Sequence, residues 1–209
     1  MIDMEVIMNG KTHQIVGLTG GLLASGLFYK VGIMSVPACL STIALSSIGS
    51  YIPDIDHTGS KAGKKAPLLS YPIKYTSKLF SWVYKKTKIK SFNKISMMFE
   101  HRGIFHSPLF WILIFLPVFI FVPPLVSQPI VQDMVVGGLF GFLLGVMLHL
   151  FADMLNPTGI PLFLPFLHRK FRLAKIVTGS KSEMVFKAFA ILVLFISFIL
   201  TCLIFINII

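Results

Sequence analysis

The chain has 209 residues and a mass of 23.3 kDa; 55% of the residues are apolar, only 13% are charged, and the mean hydropathy is +0.83. Soluble domains carry about a quarter charged residues and disorder requires low hydrophobicity, so both classes are excluded, as is a secreted disulfide scaffold, because Cys39 and Cys202 lie inside apolar runs. The net charge of +11 would suggest nucleic acid in a soluble protein; here no nucleic-acid partner is expected, because the basic residues follow the ends of apolar segments and suit an anionic leaflet.

A spanning helix needs about 20 apolar residues. In chain order the apolar segments are about 15–29, 31–52, 108–122, 134–155 and 188–209. They predict an all-α, multi-pass bundle of five spans forming one domain over 1–209. The first and third are short and borrow length from their flanks. The first two, joined near Lys30, read as a helical hairpin. A cleavable signal is not expected, since the first run starts after His13 and lacks a small-x-small site.

Eighteen of the nineteen basic residues fall in the loops 57–103 and 156–187 or at Lys11; Lys30 alone falls on the other side. The positive-inside rule then predicts a cell-membrane protein whose N-terminus and both loops are cytoplasmic. Within the first loop, Tyr71, Tyr75, Leu79, Phe80 and Trp82 alternate with Lys74, Lys78, Lys85 and Lys86. That composition suits either a helix lying in the membrane interface or a solvated basic loop.

The polar residues of interest meet at that same side. His13 precedes the first segment; Asp54, Asp56 and His57 follow the second; His101 and His106 precede the third; His149 and Asp153 close the fourth. Lys and Arg alone define the topology, yet five of six histidines and three of five aspartates fall at one membrane depth. His149 and Asp153 are four apart and share a helix face. Their row extends back through Gly145, Gly141 and Gly137, and His13 extends through Gly17, Gly21 and Ser25. Such small-residue rows allow close helix approach, which places His13 near His149. Ser107-Pro108 reads as a helix start with a hydroxyl cap, and after Pro53 an extended stretch would turn Asp54 and Asp56 the same way.

Imidazole and carboxylate suit Zn²⁺ first, with Mn²⁺ or Fe²⁺ as alternatives, and ionisable groups at membrane depth tend to be functional. The donor set is large enough for one or two ions with supporting residues left over. Two ions could activate water and clamp a phosphoester. Singly, each residue has a plainer reading: an interfacial histidine, an aspartate cap, a hydrogen-bonded His149–Asp153 pair. His168, in a basic run, reads as surface, and Arg102 reads as a topology-setting charge or a phosphate clamp.

The strings Pro53-Asp-Ile-Asp-His57, His101-Arg-Gly-x-x-His-Ser107 and His149-x3-Asp153 with Pro157-x-Gly159-x-Pro161 resemble the YdjM-like family. Its members are described as LexA-regulated or inner-membrane-associated metal-dependent hydrolases. The resemblance, spanning about 13–172, implies a multi-pass membrane protein and metal-dependent hydrolysis. It maps polar family positions onto His13, Asp54, Asp56, His57, His101, His106, His149 and Asp153. Phe105 and Asn156 stand where relatives often carry Thr.

These readings combine into a membrane-bound hydrolase that cleaves a phosphoester of a lipid or lipid-linked substrate. His13, Asp54, His57, His101, His106, His149 and Asp153 would be metal ligands. Asp56 would orient a ligand or act as general base, and Arg102 would hold phosphate. The rival readings are a divalent-cation or proton transporter, which needs polar groups at mid-depth, and a non-catalytic adaptor held together by a structural metal. Segments two, three and five are expected to carry almost no such groups. No Gly-rich phosphate loop or nucleophile elbow appears.

Overall fold

The structure, a computed structural model, describes residues 10–177 and 179–206. The expected hairpin is present as α1 (Gly10–Lys30) and α2 (Val36–Gly49). α2 starts later than the apolar run because 31–35 makes the turn: Gly32 adopts φ +73° and the Ser35 hydroxyl accepts from the Ala38 N–H. After α2 a 3₁₀ turn, Ile52–Asp56, replaces the expected extended stretch. Pro53 sits in its first turn, where a missing N–H costs nothing.

The first basic loop folds into α3 (Lys61–Lys65), α4 (Pro67–Thr87) and α5 (Lys90–Met98). α4 leaves Leu68, Tyr75, Leu79 and Trp82 exposed at near-helical spacing. A second 3₁₀ turn, Ile104–His106, leads into α6 (Pro108–Phe121), and a third, Pro123–Leu125, leads to α7 (Pro129–Met154). The second basic loop is not all loop: β1 (Ile160–Phe163) and β2 (Leu167–Phe171) form an antiparallel hairpin, a small departure from an all-α chain. Gly159, at φ +63°, permits it, because a Cβ there would lie 2.3 Å from the Phe171 carbonyl oxygen. α8 (Lys181–Phe205) starts ahead of the apolar run, its Ser180 cap accepting from the Glu183 N–H. Residues 207–209 of the fifth expected segment lie outside the described residues.

Among the described residues, four stretches are long and apolar enough to cross a membrane: Val36–Asp56, Pro108–Leu125, Pro129–Met154 and Lys181–Phe205. The expectation of five counted α1 as well. With 21 residues it has the length, but its Gly, Thr and Ser residues suit it to lie among α2, α7 and α8, which it contacts. α6 is the least covered span, and Ile112, Leu113, Leu116 and Ile120 remain exposed. It meets α7 through Phe115 stacked on Phe142, with ring centroids 5.2 Å apart.

The seam between α2 and α7 positions the site. Ideal Cβ atoms at Gly137, Gly141 and Gly145 would lie 2.5, 2.2 and 2.0 Å from the carbonyl oxygens of Ala38, Thr42 and Ser46. The two helices therefore run parallel in matched four-residue steps, with backbones in direct contact. On the other side of α2, a Cβ at Gly17 would fall 2.5 Å from the Ser50 Cβ, and one at Gly21 would fall 2.9 Å from the Ser46 Cβ. Both predicted glycine rows thus pack on α2. The polar row of α2 was not expected, and it is satisfied by neighbouring backbones: Thr42 donates to the Gly137 carbonyl and Ser46 to the Gly17 carbonyl, at 2.8 and 2.7 Å. These hydroxyls tie helices together rather than line a path.

Candidate metal centre

One step beyond Gly145 in the α7 row comes His149, and one step beyond Gly17 in the α1 row comes His13. Both helices lean on α2, so the two imidazoles meet and stack, with centroids 3.9 Å apart and planes 23° from parallel. The matching step on α2 is Ser50, whose carbonyl lies 2.7 Å from His149 Nδ1. A carbonyl can only accept, so Nδ1 carries the proton and Nε2 presents its lone pair.

The 3₁₀ turn after α2 splits the work of its two aspartates. About three residues per turn point Asp54 and Asp56 in different directions. Asp54 Oδ1 lies 3.7 Å from His149 Nε2 and 3.8 Å from His106 Nε2. Asp56 instead accepts from His101 Nδ1 at 2.9 Å, from His106 Nδ1 at 3.1 Å and from the Arg102 backbone N–H at 3.1 Å. Arg102 reaches that position at φ +59°, a conformation costly for a residue with a Cβ. Gly103 completes the turn; a Cβ there would lie 2.2 Å from the Met98 carbonyl oxygen.

Asp153 draws the halves together. Its Oδ2 lies 3.2 Å from His106 Nε2 and 3.5 Å from His149 Nε2, and its Oδ1 lies 3.6 Å from His13 Nε2. Arg102 and Asn156 donate to Oδ1 at 3.1 and 2.9 Å. Asp54, Asp56, Arg102, His13, His106, His149 and Asp153 are all at most 5% exposed.

This arrangement is electrostatically incomplete by itself. With their Nδ1 protons committed, His106 and His149 turn lone pairs on Nε2 towards carboxylate oxygens, acceptor facing acceptor. Among the described residues neither Nε2 has a hydrogen-bond partner, nor does either nitrogen of His13 or Nε2 of His101. Three buried carboxylates against one guanidinium leave two negative charges in a site with little access to water. Buried charge of one sign is expensive unless compensated, and a divalent cation supplies the sign and the valence. The donors therefore fit a metal ion. Three groups place their ligand atoms within 4.8 Å of one another: His13, His149 and Asp153; Asp54, His106 and His149; Asp56, His101 and His106. Without a cation, protonation is the other remedy. Burial opposes charge on His106, but Asp56, Asp153 and Asp54 outweigh it and hold its pKa well above the ordinary value.

Every singled-out position except His57 reaches this cluster directly. His57 sits at its edge, with its ring 4.8 Å from that of His101, and belongs to none of the three groups. Ser107 does not cap α6. Its hydroxyl lies 3.1 and 3.0 Å from the Leu162 and Leu164 carbonyls, fastening the hairpin beside the cluster. Asn156 and the Ser50 carbonyl are site members that sequence reasoning missed. The three-residue step from Asp153 to Asn156 was a usable signal for the first; nothing in the sequence marks a backbone carbonyl.

A relative from Bacillus subtilis (strain 168), the uncharacterized protein YvsG, is 29% identical over 176 residues, covering 84% of this chain and 85% of its own. No solved structure matches the chain. The model of the YdjM inner membrane protein family matches residues 8–208, a range that contains every element and every polar group described above, and the chain belongs to that family.

Proposed function

We propose that the chain is a metal-dependent hydrolase of the cell membrane, acting on a phosphoester of a lipid or lipid-linked substrate at the cytoplasmic face. The observation that carries this reading is the set of lone pairs on His106 and His149 Nε2 facing the carboxylates of Asp54 and Asp153. His13, Asp54, His106, His149 and Asp153 would hold the ion, Zn²⁺ before Mn²⁺ or Fe²⁺. A second ion would draw on His101 at the outer edge, with the ring of His57 beside it. Bound there, a divalent cation supplies the Lewis acidity that polarises a phosphoryl group and eases deprotonation of water.

The protein's own groups have separable roles in this reading. Asp56 is a positioning residue: three donors engage it, and it fixes the rings of His101 and His106. Arg102 steadies Asp153 through one guanidinium nitrogen and keeps Nε, which has no partner, for a phosphoryl oxygen. A lipid substrate is favoured by the position of the cluster at the ends of the apolar stretches. The exposed Leu68, Tyr75, Leu79 and Trp82 of α4, interleaved with lysines, suit a helix resting among anionic head groups. The excess of Lys and Arg on this side supports a cytoplasmic orientation.

The test is phosphate release by metal-loaded protein from a panel of phospholipids, lipid-linked phosphates and nucleotides. Cleavage of a lipid phosphoester that is lost in Asp54→Asn is expected. Full metal occupancy with no cleavage of any member would overturn the proposal.

A further inference from the structure

The basic run around His168 predicts a surface residue. The hairpin gives it a different setting. On β2 it lies two residues from Lys170, so the two share one face of the strand. Both line a cleft of about 50 Å³ whose walls also include Glu100, His101, Arg102 and Leu164. His101 and Arg102 belong to the metal centre, so the cleft adjoins the cluster.

Three properties of this cleft point to one class of ligand. His168 Nε2 and Arg102 Nε are both covered by protein, and among the described residues neither has a hydrogen-bond partner. Two residues that line the same small space thus each keep a nitrogen with nothing to receive its proton, a costly arrangement for buried polar atoms. Lys170 offsets Glu100 in the cleft wall, and the Arg102 guanidinium, which also faces Asp153, brings a second positive group to it. The volume suits a few waters or one tetrahedral oxyanion, since about 10–15 Å³ of such space holds one water. The hairpin is also held in place: Ser107 ties the Leu162 and Leu164 carbonyls to the start of α6, and the Leu173 N–H donates to the Met154 carbonyl at 2.7 Å.

From this geometry we infer that the cleft is a phosphoryl subsite, in which His168 and Arg102 donate hydrogen bonds to the oxyanion and Lys170 supplies charge. The inference rests on the metal-dependent phosphoesterase reading and adds the hairpin as its substrate-recognising element. The phosphoryl group can belong to a lipid head group or to a free phosphate.

The test is equilibrium binding to purified full-length protein, with metal content measured on the same samples. One arm uses inorganic phosphate and the other a short-chain phosphatidic acid. His168→Ala and Lys170→Gln are each expected to weaken binding about tenfold in at least one arm, the size of one lost charge-assisted contact, with metal per chain unchanged. His168→Gln, which retains a donor, should recover part of the loss, whereas Lys30→Gln, at the far end of α1, should change nothing. Tighter binding in the second arm would identify a lipid phosphate as the source, and tighter binding in the first a free phosphate. Wild-type protein that binds neither probe, or His168→Ala and Lys170→Gln proteins that bind both as well as wild type, would overturn the subsite. Absence of metal from wild-type protein would count against the functional reading instead, leaving a His168-dependent phosphate site standing.

Discussion

Asp56 holds His106 by Nδ1, with Oδ2 3.1 Å away, and so turns the opposite nitrogen of the ring towards Asp54 and Asp153. The carboxylate does not need to touch a metal to govern how one is held. Asp56→Asn should keep the fold but lower metal affinity by about 10–100-fold, the usual cost of losing an outer partner of a ligating histidine. Chelator competition on the purified variant measures this.

Metal binding should also depend on pH in a defined direction. In the metal-free site the neighbouring carboxylates hold the His106 pKa well above the ordinary imidazole value, so near neutrality this ring carries a proton that an incoming cation must displace. Affinity should rise with pH until the His106 proton is gone and fall as pH is lowered. Calorimetric titration in two buffers of different ionisation enthalpy should show proton release on binding. Identical observed heats in the two buffers would contradict this.

The α2–α7 seam should tolerate no side chain. A Cβ at position 145 would lie 2.0 Å from the Ser46 carbonyl oxygen, a backbone atom that cannot swing away. Gly145→Ala should cost about 1–3 kcal/mol or more by overpacking and should move Ser50 away from His149, weakening metal retention. Leu192→Ala on the exposed face of α8 should do neither. Thermal unfolding with metal analysis separates the two variants.

Much of this architecture was legible because two independent patterns agree. Lys and Arg mark one end of the bundle, and the rows leading to His13 and His149 point to the same end. What escaped notice has physical reasons. The row Ala38, Thr42, Ser46 and Ser50 was passed over because hydroxyl residues count as polar in an apolar segment, although in a tight seam they act as small residues that donate to neighbouring carbonyls. The separate duties of Asp54 and Asp56 depend on a 3₁₀ turn, where Pro53 suggested an extended stretch. The basic run around His168 suggests a solvated residue because a hairpin of nine strand residues, one of them Pro161, is a faint signal beside spans of 18 to 26 residues. Ser107 carries a cap signature but spends its hydroxyl on the hairpin.

Ser107→Ala removes the donor shared by the Leu162 and Leu164 carbonyls and should cost about 1–3 kcal/mol, the penalty for stranding buried acceptors. Hydrogen exchange should quicken across residues 160–171 while α7 stays protected.

The central claim is that donors from α1, α7 and the turns beside α2 and α6 share a divalent cation. X-ray absorption spectroscopy with elemental analysis of wild-type and His149→Ala proteins tests it most directly. At least one divalent ion per wild-type chain is expected, with a shell of nitrogen and oxygen that shows imidazole scattering and no sulfur, and that ion should be lost in the variant. A wild-type chain free of metal after growth and purification with Zn²⁺, Mn²⁺ and Fe²⁺ supplied, or an ion with an unchanged shell in His149→Ala, would contradict it.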